Sequence, residues 1–292
     1  MTHVVRLKPA CRIIFFSLIN LLFFLKPALC QNKFEIELRK KIDSLANEPN
    51  KFEKIELLPN DAMQNVMTPS GFGGYGTYVF GGMGGVYPAV YTNKGDLIGS
   101  AGFCIGNSAK EINFAASVNI TKVTSLSDLS VNFIISRKIF RGTSVSIGGL
   151  QLLAHPTVSD APAGTYYIAV SHSVQTVHSR AVGSSGLTYT IGIGNGRFLL
   201  KSPYDIAAGR GDKGTAVFAS VSYEIFRRVN LNAEWTGLNF GMSMGIRPVK
   251  NSAFSLGIGV SDLTRYSSDK PAMIFSMGFP LSLNRKSKAI EE

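Results

Sequence analysis

From residue 71 onward the chain alternates between apolar and small polar positions. In residues 252–262 (S-A-F-S-L-G-I-G-V-S-D), Phe254, Leu256, Ile258 and Val260 fall on one face of an extended chain, and Ser255, Gly257, Gly259 and Ser261 on the other. The pattern returns in Leu238, Phe240, Met242, Met244 and Ile246 against Asn239, Gly241, Ser243, Gly245 and Arg247. It returns again in Val229, Leu231, Ala233 and Trp235 against Asn230, Asn232, Glu234 and Thr236. Period two with no helical competitor predicts strands. A solvated strand face would carry Lys, Glu and Thr, whereas this polar face is built of Ser, Gly and Asn.

The alternation marks twelve strands, at residues 73–91, 96–107, 111–121, 129–140, 143–154, 165–177, 187–198, 215–227, 229–235, 238–247, 253–262 and 272–281. Strands of about ten residues with one apolar and one small polar face, repeated this often, predict an all-β fold: a transmembrane antiparallel up-and-down β-barrel, apolar face toward lipid. The first strand is the least defined, because its glycines fix register poorly. Connections after even-numbered strands are mostly short, as at 108–110, 141–142, 228 and 248–252, with 178–186 the exception. Those after odd-numbered strands include the long ones, 156–164, 199–214 and 263–271. Short turns on one rim and long loops on the other fit an outer-membrane barrel with both termini in the periplasm. Arg137, Lys138, Arg197, Arg227, Arg228 and Lys250 sit at strand ends or turns, and Tyr78, Tyr91, Tyr166, Tyr189, Tyr223 and Trp235 are candidates for aromatic belts.

The first residues supply an export route. Arg6, Lys8 and Arg12 precede an apolar run at 13–25, and Ala28 precedes Cys30. Thirteen helical residues rise only about 20 Å against a hydrocarbon core of about 30 Å, so residues 1–30 read as a signal peptide cleaved after Cys30. Acylation of Cys30 is the rival reading, disfavoured by the bulk of Leu29. Residues 31–70 form a separate part: Phe34, Leu38, Ile42 and Leu45 recur at helical spacing amid Glu35, Glu37, Arg39, Lys40, Lys41 and Asp43, predicting a periplasmic amphipathic helix ended by Pro49 and Asn50. That helix either lies against the barrel rim or serves as a plug or docking element for a periplasmic partner. Residues 57–70 read as a linker, 71–283 as the barrel, and 284–292 as a charged tail.

Composition narrows the chemistry. The first thirty residues hold four basic residues and no acid, so the chain's 30 Lys+Arg fall to 26 against 19 Asp+Glu, a formal charge of +7. No Lys/Arg stripe with interleaved aromatics accompanies it, which disfavours nucleic acid. Of three cysteines only Cys104 survives processing, excluding an intramolecular disulfide framework and a cysteine-based zinc site. His155, His172 and His178 remain, and the alternation puts His172 on the outward face with Ile168 and Val170, without a Ser or Asp partner. The glycine clusters at 71–76 and 192–196 match loose phosphate-loop patterns, but neither opens a helix and no Walker lysine follows. Arg210-Gly211-Asp212 matches an adhesion tripeptide, a short and common match. No catalytic, cofactor or metal site is expected, and the chain reads as a non-enzyme.

The inward charges are few. Glu224, Asn230, Asn232 and Arg247 are expected to cluster at the periplasmic end of the lumen, with Glu234 near the opposite mouth; unconnected solvated charges are the alternative. A lumen lined by Gly, Ser, Asn and Thr points to a channel or transport protein for small hydrophilic solutes. The second reading is a non-transporting envelope component whose helix, through Phe34, Leu38, Ile42 and Leu45, docks a partner. The expected surroundings are outer-membrane lipid and the barrel-assembly machinery.

Residues 226–279 resemble the C-terminal part of bacterial outer-membrane barrels in the group that includes the exopolysaccharide-associated YjbH-like barrels. The likeness is carried by 232–237 (N-A-E-W-T-G), 238–243 (L-N-F-G-M-S), Arg247-Pro248 and 257–262 (G-I-G-V-S-D). It implies an envelope role, linked in the second reading to polysaccharide secretion, and carries no catalytic residue. The tail after Leu283 departs from the family's final aromatic.

Overall fold

The computed structural model describes residues 40–43 and, apart from 90–93, 123–126, 156–163, 250–251, 265 and 268–269, residues 56–283. The expected signal peptide, Phe34, Leu38, Leu45, Tyr91, Lys250 and the expected tail lie outside the described residues. The chain divides into two units, Met1–Ile55 and Glu56–Glu292. In the first, residues 40–43 are helical.

The second unit is a closed antiparallel barrel. Its strands are β1 (Tyr78–Tyr87), β2 (Asp96–Ile105), β3 (Asn113–Lys122), β4 (Ser127–Phe140), β5 (Thr143–Leu152), β6 (Thr165–Ser173), β7 (Leu187–Gly194), β8 (Val217–Phe226), β9 (Val229–Trp235), β10 (Phe240–Ile246), β11 (Ser255–Ser261) and β12 (Ala272–Ser282). Each pairs with its neighbours in chain order, and β12 pairs with β1 over ten residues from Met273–Tyr87 to Ser282–Tyr78, closing the ring. The count and order match the alternation. The main shift is at β1, which starts at Tyr78 and leaves Gly73 and Gly74 outside the ladder.

The faces are those of a membrane-spanning barrel. Ile135, Ile147, Ile168, Ile191, Val221 and Ile258 are exposed on the outside, while Ser130, Ser146, Ser171, Thr190, Ser220 and Ser243 are buried inside. In water this distribution would expose a continuous apolar girdle, whereas in a bilayer it buries one. His172 follows the outward register beside Tyr189, with which it stacks at 5.3 Å, and accepts or donates one hydrogen bond with the Thr143 hydroxyl at 2.7 Å.

The two rims differ as the connection lengths predict. One carries the tight turns at 141–142 and 227–228, where Gly142 and Arg228 adopt left-handed backbone. The other carries 195–216, which folds back on itself: Ser202 caps a short helix, α1 (Pro203–Ala207), by accepting from the Asp205 N–H, and Arg210 pairs with Asp205 at 2.8 Å. The arginine of the adhesion-like tripeptide is therefore engaged within its own loop. Beneath this loop Tyr167, Ala169, Phe198 and Phe218 form a small core inside the barrel. The glycines at 192 and 194 make room for it, since a Cβ at either would overlap the Phe218 or Phe198 ring.

Candidate functional site

The lumen is occupied by the chain itself. Residues 56–75, of which 57–70 were expected to form a linker and 71–75 to open the barrel, run through its interior. The segment enters at the short-turn rim: Glu56 accepts from the Gly142 N–H at 2.8 Å and pairs with Lys138 at 2.7 Å. Gln175 then brackets Leu57, accepting from its N–H and donating to its carbonyl, both at 2.9 Å. Leu58 and Pro59 pair in parallel with Ser184 and Ser185. This accounts for the exceptional connection at 178–186, which is long because it forms the socket through which the segment enters.

Inside, the segment climbs along β9. Asn60 and Asn230 exchange a reciprocal amide pair at 3.1 and 2.9 Å, and the Asn232 amide donates to the Met63 carbonyl. At the apex Glu234, fully buried, accepts from the N–H groups of Val66, Met67 and Thr68 at 2.9, 3.0 and 2.9 Å and from the Thr68 hydroxyl at 2.8 Å. Ser243 adds a fifth donor at 3.1 Å. Three successive main-chain donors on one carboxylate satisfy a charge that a dehydrated lumen would otherwise leave bare. The wall is cut to fit: a Cβ at Gly245 would overlap the Met63 carbonyl, and one at Gly257 would press on Val66 and Met63.

The segment returns down the opposite wall. Gly71 N–H donates to the Ser171 hydroxyl at 2.7 Å, Ser146 donates to the Ser70 carbonyl at 2.8 Å, and Gly74 N–H donates to Asn113 at 3.1 Å. Tyr75 bridges Asn107, and the chain enters β1 at the rim where it came in. Gly73, outside the ladder, passes close to the β4 wall: a Cβ there would overlap the Ser136 hydroxyl.

Of the five residues read as lumen-lining, Asn230, Asn232 and Glu234 are fully buried, all facing the segment. The expected Glu224–Arg247 cluster does not form. Glu224 accepts from the N–H groups of Arg180 at 2.8 Å and Arg228 at 3.4 Å, and Arg247 pairs with Asp61 at 2.8 Å and donates to the Ser252 carbonyl. Both find partners at the short-turn rim that are nearer than each other: turn backbone for the acid, the incoming segment for the base. Asn60 and Thr68, inside the expected linker, carry no periodicity that would single them out; the amide row of Asn230 and Asn232 on β9, which needs partners opposite it, is the signal that points to them.

On the long-loop side a cavity of about 570 Å³ stays open above the segment, with Val66 and Met67 in its floor and Asn119, Gln151, Arg197 and Asp262 among its lining. Burial pushes the Asp262 carboxyl up, against hydrogen bonds from Ser261 and Asn239, and nearby Asp205 adds to the rise. Among the described residues no three His, Cys, Asp or Glu side chains are grouped to hold a metal, and His172 has a hydroxyl but no carboxylate partner.

No family model matches the chain, and no curated protein matches it. Solved structures do. Outer membrane phospholipase A from Escherichia coli is similar at 9% identity over 82% of this chain and 96% of that one, with a TM-score of 0.36. The Salmonella typhi outer membrane phospholipase dimer with bound calcium is similar at 10% identity over 71% and 91%, TM-score 0.35. A mutant of Rh. blastica porin is similar at 9% identity over 70% and 99%, TM-score 0.30. The barrel is established independently of these, by the chain's own closed ladder and its apolar exterior.

Proposed function

We propose that this chain is an outer-membrane conduit for small hydrophilic solutes, closed at rest by its own residues 56–75, and not an enzyme. The observation that carries the reading is the segment on Glu234. A small polar wall lines the barrel, and what fills it is held by side chains reaching in, with both ends at one rim. Export through a cleaved leader, delivery by the barrel-assembly machinery and a periplasmic position for the amphipathic helix complete the proposal. The test is conductance in a planar bilayer: the full chain stays closed, and a chain with residues 57–70 replaced by a Gly/Ser linker conducts. A folded replacement variant that stays closed removes the conduit reading.

A second reading is favoured by the depth of the segment's contacts. Glu234, Asn230 and Asn232 are all fully buried against it. A non-transporting envelope component, linked to exopolysaccharide secretion as the 226–279 resemblance implies, would use the filled barrel as an anchor and the 31–55 arm to dock a partner. It predicts no conductance from either form, with partner capture lost when Phe34, Leu38, Ile42 and Leu45 are made polar.

A further inference from the structure

We infer that the lumen wall of β9, β10 and β11 is a binding groove for a bent peptide segment, filled in cis by residues 60–68 and open to a peptide of matching pattern once that segment is displaced. The inference rests on the proposed reading that the segment is removable.

The groove reads main chain more than side chains. Glu234 takes three consecutive N–H groups, and the Asn230 and Asn232 amides reach the carbonyls of Ala62 and Met63, at 3.4 Å each. Three successive N–H groups converge on one carboxylate only where the chain bends, as it does at 66–68, so the groove selects a bent backbone and leaves side-chain selectivity to a few pockets. Two such pockets exist: Asn230 pairs with the amide of Asn60, and Glu234 takes the hydroxyl of Thr68. Between them the bare walls at Gly241, Gly245 and Gly257 admit Met63, Val66 and Met67, side chains that others of similar size could replace. The ligand class is thus a peptide that can bend as residues 66–68 do, with an amide side chain at the Asn60 position and a hydroxyl at the Thr68 position.

Displacement needs no threading. The segment enters past Glu56 and leaves past Tyr75 at the same rim, where Gly142 and Asn107 hold the two ends. It withdraws as a hairpin loop and leaves the ring intact.

The test uses the full chain with residues 57–70 replaced by Gly/Ser, folded in detergent and checked by its faster migration before boiling, plus a fluorescent peptide of residues 57–70. Fluorescence anisotropy is expected to show saturable binding to this variant. Adding Glu234→Gln, or N-methylating the peptide at Val66, Met67 and Thr68, should weaken it by about tenfold or more, the loss of a hydrogen bond to a charged group. A folded variant that binds no peptide, or binds the N-methylated peptide equally, overturns the groove. If replacement prevents folding, hydrogen exchange on the intact protein decides. Amides of Val66, Met67 and Thr68 exchanging faster than those of β9 support a displaceable occupant, and exchange as slow as β9 overturns it. Peptide binding without conductance would leave the groove standing and the conduit fallen; the reverse would do the opposite.

Discussion

Glu234 Oε2 accepts two hydrogen bonds from Thr68, one from its N–H at 2.9 Å and one from its hydroxyl at 2.8 Å. Thr68 and Glu234 therefore form the point at which the inner segment is tied to the wall. Glu234→Ala removes the acceptor for three main-chain N–H groups in a buried site, each worth about 1–3 kcal/mol when left unpaired. The expected result is a loss of at least about 3 kcal/mol in urea unfolding from detergent, together with open-state conductance. A Glu234→Ala protein as stable as the parent would show that water replaces the carboxylate without penalty.

Gly245 offers the same outcome from the other side. Its missing Cβ is the space taken by the Met63 carbonyl, so Gly245→Ala should lift the segment off the wall while leaving the β10 ladder unchanged. Gly183, left-handed but with nothing near its absent Cβ, is the control: Gly183→Ala should cost only backbone strain, about 1 kcal/mol. Protease access to residues 60–68 in intact vesicles separates the two, rising for Gly245→Ala alone.

Not every charge on the segment matters equally. Asp61, with its side chain 60% exposed, meets Arg247 at 2.8 Å on the rim. Solvent screens such a pair to roughly 0–1 kcal/mol. Asp61→Asn should leave urea stability within about 1 kcal/mol of the parent, and a larger drop would mean the rim is drier than its exposure implies.

The entering end is pH-dependent. Burial of Glu56 raises its pKa, but this is outweighed by the Gly142 N–H, the hydrogen bond and charge of Lys138 and the charge of Arg141, so the carboxyl lies below its usual value. A depressed folded pKa means the stabilisation is present above the unfolded value of about 4.3 and is lost as pH falls through the folded one. Protection of the Leu57 and Leu58 amides, relative to their intrinsic exchange, should therefore fall in acid in the parent. Glu56→Gln should abolish that acid dependence.

The outward face gives a depth-graded prediction. Ile258 is 44% exposed, mid-strand, and paired with Met244 and Phe275. Ile258→Arg should cost about 2–4 kcal/mol in bilayer folding, falling toward 0–1 for the same change near a rim, as at Leu281. Equal costs at both would contradict the facing.

The ring was legible in the sequence because every strand repeats one message. Leu231, Ala233 and their outward neighbours face lipid, Asn230 and Asn232 face in, and a period of two leaves no other arrangement. The inner segment was not legible, because residues 57–70 have no periodicity: Pro59 and Pro69 bound a run in which Ala62, Met63, Val66 and Met67 interleave with Asn60, Gln64 and Asn65. Such a run specifies structure only through partners far along the chain, as Asn60 does through Asn230. Glu224 and Arg247 both lie at the short-turn rim, as expected of neighbours in depth, but take other partners. Their registers on β8 and β10 place them at similar depth, while the competing partners come from turns and from the segment, which strand alternation does not address.

The seam between β12 and β1 has a mechanical consequence. Gly81, Gly82, Gly84 and Gly85 face Phe279, Gly278, Ser276 and Phe275 of the partner strand, so bare backbone on β1 meets two aromatic side chains on β12. A Cβ at Gly85 would overlap the Phe275 ring, so sliding β12 by two residues would drive that ring onto Met83 or Tyr87. The register of the seam is therefore fixed within it, by a ring seated on a glycine, and the ladder runs on from there to the Leu283 N–H on the Thr77 carbonyl. Like a belt whose pin has found its hole, the ring keeps its size because Phe275 sits where Gly85 leaves room for it.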